Sequence, residues 1–227
     1  MRQPLCKTLA AAFVTLAIAQ PTSAEVAAPT LKAGDSWSYR QINAYNKADA
    51  GIVSRDVKAA GAREIRMVTR SSDGRVLDEA SYSGPGMLAA GMLSDRASGT
   101  LSPALELAPY PLREGAKWTQ RVTRDDVVSR EKRATLIIGK VLGWEAVKVP
   151  AGEFRALRIE RRIELGDHDP FRGPTLRWET EWYSPEVKAA VKLEVFEEYY
   201  EHRYNRAFAP LLPGERSIYE LVSYKSG

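Results

Sequence analysis

The sequence predicts an all-β fold: a single antiparallel β-barrel or half-barrel of about ten strands, with a long apolar loop between its two halves. Apolar and polar side chains alternate with a period of two along most of the chain. Glycine, proline and Asp-Gly pairs separate these stretches at the spacing typical of antiparallel strands. Helical periodicity is weak, and the alanine- and lysine-rich residues 48–61 have room for one or two helical turns between flanking glycines.

The N-terminus has the pattern of a secretory signal peptide. Basic Arg2 and Lys7 precede an uncharged apolar run at residues 9–19, and small residues then suit cleavage before Glu25. That run is too short to span a bilayer, for which about 20 residues are needed, and no later stretch qualifies. We therefore expect a cleaved signal peptide at residues 1–24, no transmembrane segment in the mature chain, and a periplasmic location.

Loss of the signal peptide changes the charge and removes the only cysteine. The full chain of 227 residues carries 33 basic and 29 acidic residues, and without Arg2 and Lys7 a net charge of +2 remains. This balance argues against nucleic acid as a partner. Cys6 precedes the apolar run, whereas a lipoprotein cysteine follows it, so we expect no lipid anchor and no disulfide. Residues 25–227 are long enough for one β-barrel-like domain with a real core.

The strands are predicted in order from the alternation. The first places Trp37, Tyr39 and Gln41 on one face, and Asp73-Gly74 provides a hairpin turn. Proline and glycine at 150 and 152 suit a second turn. The predicted strands lie near residues 37–41, 64–70, 75–82, 117–128, 133–142, 144–149, 154–163, 176–183, 191–195 and 217–224.

One long segment interrupts the alternation. Residues 84–115 contain several glycines and prolines among scattered methionines and leucines, which makes them too apolar for simple disorder. One interpretation is a flexible lid over an open barrel end, because methionine and leucine adapt to irregular apolar ligands. The other is a loop that plugs that end and completes the core. The lid candidates are Met87, Leu88, Met92 and Leu93.

Two segments of the chain share a local pattern. Residues 31–40 and 112–121 carry leucine, glycine, tryptophan and arginine at the same offsets. This indicates a glycine-permitted turn that starts a strand whose second residue directs a tryptophan inward. Two copies are too few for a solenoid or a propeller. We interpret the repeat as a shared structural role for Trp37 and Trp118 rather than a shared binding role.

Four blocks of the sequence support a family resemblance. They are Gly34-Asp35-Ser36-Trp37-Ser38-Tyr39, Pro111-Leu112-Arg113-Glu114-Gly115-Ala116-Lys117-Trp118, Val149-Pro150-Ala151-Gly152-Glu153-Phe154-Arg155-Ala156-Leu157-Arg158-Ile159 and Glu181-Trp182-Tyr183-Ser184-Pro185-Glu186-Val187. In this order they resemble a group of exported bacterial β-barrel proteins classed as a domain of unknown function. That group is similar in architecture to the curved half-barrels of outer-membrane lipoprotein carriers.

The resemblance covers most of the mature chain and implies a fold, an envelope location and binding of something apolar. The family has no agreed catalytic residues, so it implies no site. This chain departs from the family after Trp-Tyr-x-Pro, where a glycine is common and Lys188-Ala189-Ala190 stands instead. The departure concerns the turn and not the strand that follows it.

Aromatic side chains and one inward arginine are the binding candidates. A small barrel either fills its interior with side chains or leaves room for one ligand, so tryptophans on the predicted inner face are either core or cavity lining. Arg161 shares a face with Leu157 and Ile159, where it would anchor an acidic headgroup or pair with an inward glutamate. The cavity candidates are Trp37, Tyr39, Trp118, Arg161, Trp178 and Trp182.

The search for catalytic and metal-binding patterns yields structural explanations. His168 lies in a proline-terminated turn, which suits solvent better than a metal site. Ser129 and Lys132 have the Ser-x-x-Lys spacing but join two predicted strands, not a helix. Glu179 and Glu181 are placed on a solvated face, opposite the apolar set of their strand. We therefore predict no catalytic residue, no metal and no cofactor.

These observations favour a non-enzymatic function. The first hypothesis is binding or carriage of an apolar or amphipathic envelope molecule inside the barrel. The second is an interaction module, with a filled barrel that docks onto another envelope protein through an exposed edge strand at residues 194–206. An enzyme is the third, and a buried titratable group of shifted pKa in a cleft would support it.

Overall fold

The computed structural model describes residues 25–127, 129–167, 171–201 and 210–227. It contains twelve β-strands. They are β1 (Ser36–Asn43), β2 (Asp49–Ala60), β3 (Ile65–Ser71), β4 (Val76–Gly84), β5 (Met87–Ser94), β6 (Ala97–Glu106), β7 (Lys117–Asp126), β8 (Lys132–Val149), β9 (Gly152–Glu164), β10 (Arg172–Ser184), β11 (Ala189–Glu201) and β12 (Leu211–Lys225).

The strands form a closed antiparallel barrel. Each strand pairs with its neighbours in sequence, and β1 closes the circle by pairing with β12, from Ser36 opposite Lys225 to Asn43 opposite Ser217. The all-β antiparallel prediction is confirmed, whereas a half-barrel and a count of about ten strands are wrong. The predicted edge strand at residues 194–206 falls in β11, which is not an edge in the closed barrel because it pairs with both β10 and β12. Residues 202–206 of that predicted edge lie outside the described residues.

The difference in strand number has identifiable causes. Residues 48–61, expected to hold a helical turn, form β2, in which Val53, Arg55 and Val57 alternate inward. The two predicted strands near 133–149 are one continuous β8, bent by a bulge between Val141 and Trp144. The long loop predicted at residues 84–115 contains β5 and β6.

The prediction of that loop was wrong because two of its glycines lie within strands. Gly91 and Gly99 face each other across β5 and β6, and both have positive φ, +149° and +151°. A Cβ added at Gly99 would lie 2.0 Å from the carbonyl oxygen of Asp125, and one at Gly91 would lie 3.0 Å from the Cβ of Ala80. These glycines therefore permit close strand approach rather than turns. The lid candidates Met87, Leu88, Met92 and Leu93 are residues of β5 and not of a loop.

The connections alternate between the two ends of the barrel. We call the upper end the one formed by residues 61–64, 85–86, 107–116, 150–151 and 185–188. The lower end is the one that contains residues 44–48, 72–75 and 95–96. At the upper end the tip of the β8–β9 hairpin reaches β12, where the amide of Ala151 donates to the carbonyl of Leu221 at 2.9 Å.

The repeated pattern at residues 31–40 and 112–121 forms two equivalent strand starts. Gly34 and Gly115 both have positive φ and donate to the second strand of their hairpin, to Val57 at 3.0 Å and to Val141 at 2.9 Å. The next residue in each copy closes the same four-residue β-turn, because its amide donates to the carbonyl of Lys32 or Arg113. Trp37 and Trp118 are then the second residues of β1 and β7, as predicted.

The turn that departs from the family pattern keeps a glycine-like conformation. Lys188 has a φ of +58°, in the left-handed region that glycine adopts without strain. Its ammonium lies 3.5 Å from a carboxylate oxygen of buried Asp35. The turn between β10 and β11 therefore forms without the glycine, and this ion pair joins it to the start of β1.

Candidate functional site

A cavity of about 270 Å³ lies inside the barrel and reaches the upper end. Its walls come from β1 to β5 on one side and from β9 to β11 on the other. Residues of the upper-end connections, among them Gly86, Ala108 and Lys188, border it. Apolar side chains line much of the wall: Leu31, Ile65, Met67, Leu88, Leu107 and Leu193. A group of charged side chains lines the rest.

That charged group is an arginine–glutamate network on β9, β10, β11 and β12. Arg161 contacts Glu179 at 2.9 Å and Glu181 at 2.5 Å, and Arg177 contacts Glu179 at 2.7 Å and Glu197 at 2.7 Å. Both arginines thus share the carboxylate of Glu179. Glu215 of β12 extends the network, because it lies 3.2 Å from Arg177 and accepts a hydrogen bond from Tyr219.

The alternation of β10 places these charges inside. Arg177, Glu179 and Glu181 share one face, and Glu179 lies directly opposite Arg161 on β9 while Arg177 lies opposite Glu197 on β11. Cross-strand neighbours of opposite charge on one face attract each other. The prediction that Glu179 and Glu181 lie on a solvated face is therefore wrong. Because each buried charge has a partner, the network compensates for part of the cost of desolvation.

The network fixes the charge states of its members. Burial alone would raise the pKa of Glu179, but Arg161 and Arg177 together outweigh it and lower that pKa to about 2. Burial likewise opposes ionisation of Arg161, yet Glu181 and Glu179 hold the pKa of its guanidinium above the ordinary value. For Glu197 burial dominates and raises the pKa in spite of Arg177. The centre of the network is therefore charged at neutral pH.

Tyrosines surround the network. The hydroxyl of Tyr39 donates to the carbonyl of Ala190 at 3.0 Å, and Tyr110 packs edge-on against Tyr183 with ring centroids 5.8 Å apart. Burial raises the pKa of all three of these phenols, so they remain protonated. They present polar hydrogen-bonding groups to the cavity without adding charge.

Arg55 lies on the opposite wall. Its Nη2 donates to the hydroxyl of Tyr82 at 3.2 Å, and Asp78 of β4 lies on the same wall. Residues 48–61 were expected to be partly helical, which hid the face shared by Val53, Arg55 and Val57. The same alternation test that placed Arg161 inward finds Arg55 when it is applied to these residues.

Part of the barrel interior is filled by side chains. The guanidinium of Arg124, near the lower end, is fully buried and contacts Asp126 at 2.8 Å, the hydroxyl of Thr135 at 2.7 Å and the carbonyl of Leu165 at 2.8 Å. An apolar cluster also packs there, with members on β4 to β9: Leu88, Leu93, Leu101, Leu105, Val122, Ile137, Ile163 and Leu165, with Ala80 and Ala97.

The predicted cavity residues fall into three groups. Trp37, Tyr39 and Arg161 line the cavity, so their part in ligand binding stays a prediction. Of the two alternatives for Arg161, pairing with inward glutamates is the one observed. Trp118 faces inward but fills the space over Gly139, where an added Cβ would lie 2.1 Å from its ring.

The remaining two tryptophans do not line the cavity. Trp178 alternates with the inward Arg177 and Glu179 and stacks on Phe196, at 5.4 Å between ring centroids, beside a surface groove. Trp182 donates its indole N–H to Glu145 at 2.7 Å. Trp178 lies on the outer face, because β10 directs its charged residues inward, whereas Trp182 is buried in a core cluster with Trp37. Of the lid candidates, Leu88, Met92 and Leu93 contribute to the cavity wall and Met87 does not.

Ser129, Lys132 and His168 are the other residues considered for catalysis or metal binding. Ser129 lies in the β7–β8 connection and Lys132 begins β8, so the two do not share a helical turn. His168 lies outside the described residues. Within the described ranges no group of three or more histidine, cysteine, aspartate or glutamate side chains is arranged to hold a metal ion. No helix in that part of the chain has the length and apolar character needed to cross a membrane.

Neither a family model nor a curated protein sequence matches this chain. Solved structures similar to it include the following three. A provisionally named exported protein with a YmcC-like fold from Bacteroides fragilis NCTC 9343 is 14% identical, with a TM-score of 0.51 over 89% of this chain and 100% of that chain. A provisionally named lipoprotein from Parabacteroides distasonis ATCC 8503 is 14% identical, with a TM-score of 0.48 over 87% of this chain and 97% of that one.

The third structure is the hypothetical lipoprotein YmcC from Escherichia coli K12. It is 8% identical, with a TM-score of 0.46 over 87% of this chain and 89% of that chain. At these identities the Bacteroides fragilis structure supports the fold alone. The expected similarity to the half-barrels of lipoprotein carriers is not among these findings.

Proposed function

We propose that this protein binds a small amphipathic molecule of the bacterial envelope inside its barrel. The observation that carries the proposal is the interior cavity of about 270 Å³, which reaches the upper end. Its lining combines an apolar wall with a few fixed polar groups, as ligand sites in proteins commonly do. A molecule with one apolar and one polar part matches this division.

The cavity volume limits the size of the bound part. Ligand pockets usually measure about 300–1,000 Å³, so this cavity of about 270 Å³ lies just below the usual range. This suits a short amphipathic molecule, or the end of a longer chain that leaves through the upper end. The proposal therefore concerns partial enclosure of a ligand and not storage of a whole lipid.

An envelope location supports this class of ligand. The signal-peptide pattern at residues 1–24 and the names of the similar structures, an exported protein and two lipoproteins, both favour export. We place the protein in the periplasm after cleavage of that peptide. Amphipathic molecules are abundant there, and a barrel interior would shield their apolar part from water.

Native mass spectrometry tests the proposal. The full-length chain is expressed in its own host, purified from the envelope fraction without detergent, and weighed under native and denaturing conditions. We expect a discrete additional small-molecule mass that disappears on denaturation. An unliganded mass that stays unchanged after incubation with total envelope lipid extract would contradict the proposal.

A matched pair of variants on β3 locates the ligand. Met67 lines the cavity, and its neighbour Arg66 points to the outer face of the barrel. Met67→Trp fills part of the cavity and should lose the additional mass. Arg66→Trp adds the same indole outside and should keep it. Equal ligand occupancy in the two variants would place the ligand elsewhere.

A further inference from the structure

One arginine inside the barrel has no carboxylate partner among the described residues. Arg124, Arg161 and Arg177 each have a carboxylate oxygen within 2.9 Å. The guanidinium of Arg55 makes one hydrogen bond, to Tyr82, and no aspartate or glutamate oxygen of the described chain lies within 4.0 Å of it. Arg55 is therefore the interior cation whose hydrogen-bonding capacity is largely unused.

The barrel directs this guanidinium into the cavity. Arg55 lies opposite Trp37 on β1 and opposite Thr69 on β3, and it shares their inward face. Ile65 and Met67 of the neighbouring strand β3 form apolar cavity wall beside it. A cation next to an apolar wall is the arrangement that a ligand with an acidic headgroup and an apolar tail requires.

The charge of the cavity wall is compatible with an anion. The lining contains Arg55, Arg161, Arg177 and Lys188 against Asp78, Glu179 and Glu181, and Arg177 and Lys188 are also paired with Glu197 and Asp35 behind the wall. Glu179 and Glu181 are already held by Arg161. Burial opposes ionisation of Arg55, but Tyr82, Tyr39, Glu181 and Asp78 together raise the pKa of its guanidinium, which is therefore charged. Neither Asp78 nor Glu181 lies within 4.0 Å of it, so its N–H groups stay open to a ligand.

We propose that Arg55 binds the acidic headgroup, a carboxylate or a phosphate, of an amphipathic ligand whose apolar part lies against Ile65 and Met67. This inference rests on the proposed function and names its ligand class. The planar guanidinium presents parallel N–H groups that match the oxygens of either headgroup. Hydrogen bonds between ionised partners are about twice as strong as neutral ones, and more so where water is partly excluded.

Three probes of equal chain length test this on the unmodified protein: octanoate, octyl phosphate and octanol. Binding is measured by isothermal titration calorimetry. We expect both acids to bind at least tenfold more tightly than octanol. Equal affinity for octanol and the acids would overturn the role of Arg55 while leaving the proposed function intact. If none of the three binds, the proposed function itself fails.

Inorganic phosphate is the fourth probe, because a free anion shares the headgroup chemistry. The proposal requires octyl phosphate to bind at least tenfold more tightly than inorganic phosphate, since the apolar wall contributes to binding. Equal affinity would make Arg55 a site for free anions and would overturn the amphipathic ligand.

Variants of Arg55 complete the test. Arg55→Gln should lower the affinity for octanoate at least tenfold and leave the affinity for octanol unchanged. The control is Arg40→Gln, which removes an outward arginine that pairs with Glu220 at 2.6 Å and should leave both affinities unchanged. An equal loss for octanoate and octanol in Arg55→Gln would indicate a structural role and contradict the proposal. The comparison of probes on the unmodified protein decides the matter if Arg55→Gln does not fold.

Discussion

The guanidinium of Arg161 and the carboxylate of Glu179 lie 2.9 Å apart inside the barrel, on adjacent strands and directly opposite each other. The other oxygen of Glu179 accepts from Arg177 at 2.7 Å. One carboxylate therefore holds two arginines that face the interior. This makes Glu179 the central residue of the network that bounds the cavity.

Removal of the charge of Glu179 should destabilise the protein. Glu179→Gln leaves Arg161 and Arg177 without their shared partner, and loss of one partner of a buried ion pair costs about 3–5 kcal/mol. We expect a loss of roughly 3 kcal/mol in the free energy of unfolding by urea at pH 7. The matched control is Glu164→Gln, in a more exposed pair with Arg162, which should cost under about 0.5 kcal/mol. Equal effects would mean that the network contributes no more than a surface pair.

The same variant should change the dependence of stability on pH. The pKa of Glu179 is about 2 in the folded protein and near 4.5 when unfolded, so its contribution is complete above pH 4.5 and is lost as the pH falls toward 2. Protonated Glu179 resembles glutamine. The stability difference between the unmodified protein and Glu179→Gln should therefore shrink between pH 5 and pH 2.5. A difference that stays constant over that range would rule out this charge as the cause.

The close contact of Trp118 and Gly139 predicts a second large effect. A methyl group at Gly139 would overlap the indole ring, with the nearest distance 2.1 Å. We expect Gly139→Ala to cost about 1–3 kcal/mol, as overpacking of a core does. Gly84→Ala, where no atom lies within 4 Å of the added Cβ, should cost under about 0.5 kcal/mol. Thermal unfolding followed by circular dichroism compares the two, and similar melting temperatures would contradict the overlap.

The buried ion pair of Arg124 near the lower end predicts a third large effect on stability. Arg124→Met leaves Asp126 buried without its guanidinium partner and removes a donor to Leu165, so we expect a loss of about 3 kcal/mol or more. Lys132→Met, in an exposed pair with Asp125 at 3.9 Å, is the control and should be nearly neutral. Urea unfolding measures both. A small effect for Arg124→Met would show that the lower end tolerates loss of this group.

Tryptophan fluorescence should report ligand entry through Trp37. Trp37 lines the cavity, whereas Trp178 lies on the outer face. A brominated octanoate, whose heavy atom quenches nearby indoles, should quench the unmodified protein and Trp178→Phe. Trp37→Phe should lose most of that quenching. Retention of quenching in Trp37→Phe would place the probe outside the cavity.

The sequence was sufficient for the fold class but not for the inner face of every strand. Arg161 was placed inward because its neighbours on that face, Leu157 and Ile159, are apolar. On β10 the same rule failed: Trp178 and Thr180 gave the more apolar face, yet the charged face is inside. Hydrophobicity decides the inner face only where buried charges lack partners, and here they have partners on β9, β11 and β12. Those partners are distant in sequence, so a pattern read along one strand does not contain them.

Only part of the candidate site was predicted, and the reason is related. Trp37 and Tyr39 were found from simple alternation in β1. Arg55 was missed because its strand is rich in alanine, which favours helix when the chain is considered locally. Pairing with β1 and β3 overrides that local preference, since closure of the barrel requires a strand at this position.

The two equivalent strand starts at Gly34 and Gly115 begin two runs of six strands, β1 to β6 and β7 to β12. The inward tryptophan of each start has different surroundings: Trp37 borders open space, whereas Trp118 is packed on Gly139. Replacement of Trp118 by a smaller side chain would therefore open a second space inside the barrel, beside Gly139.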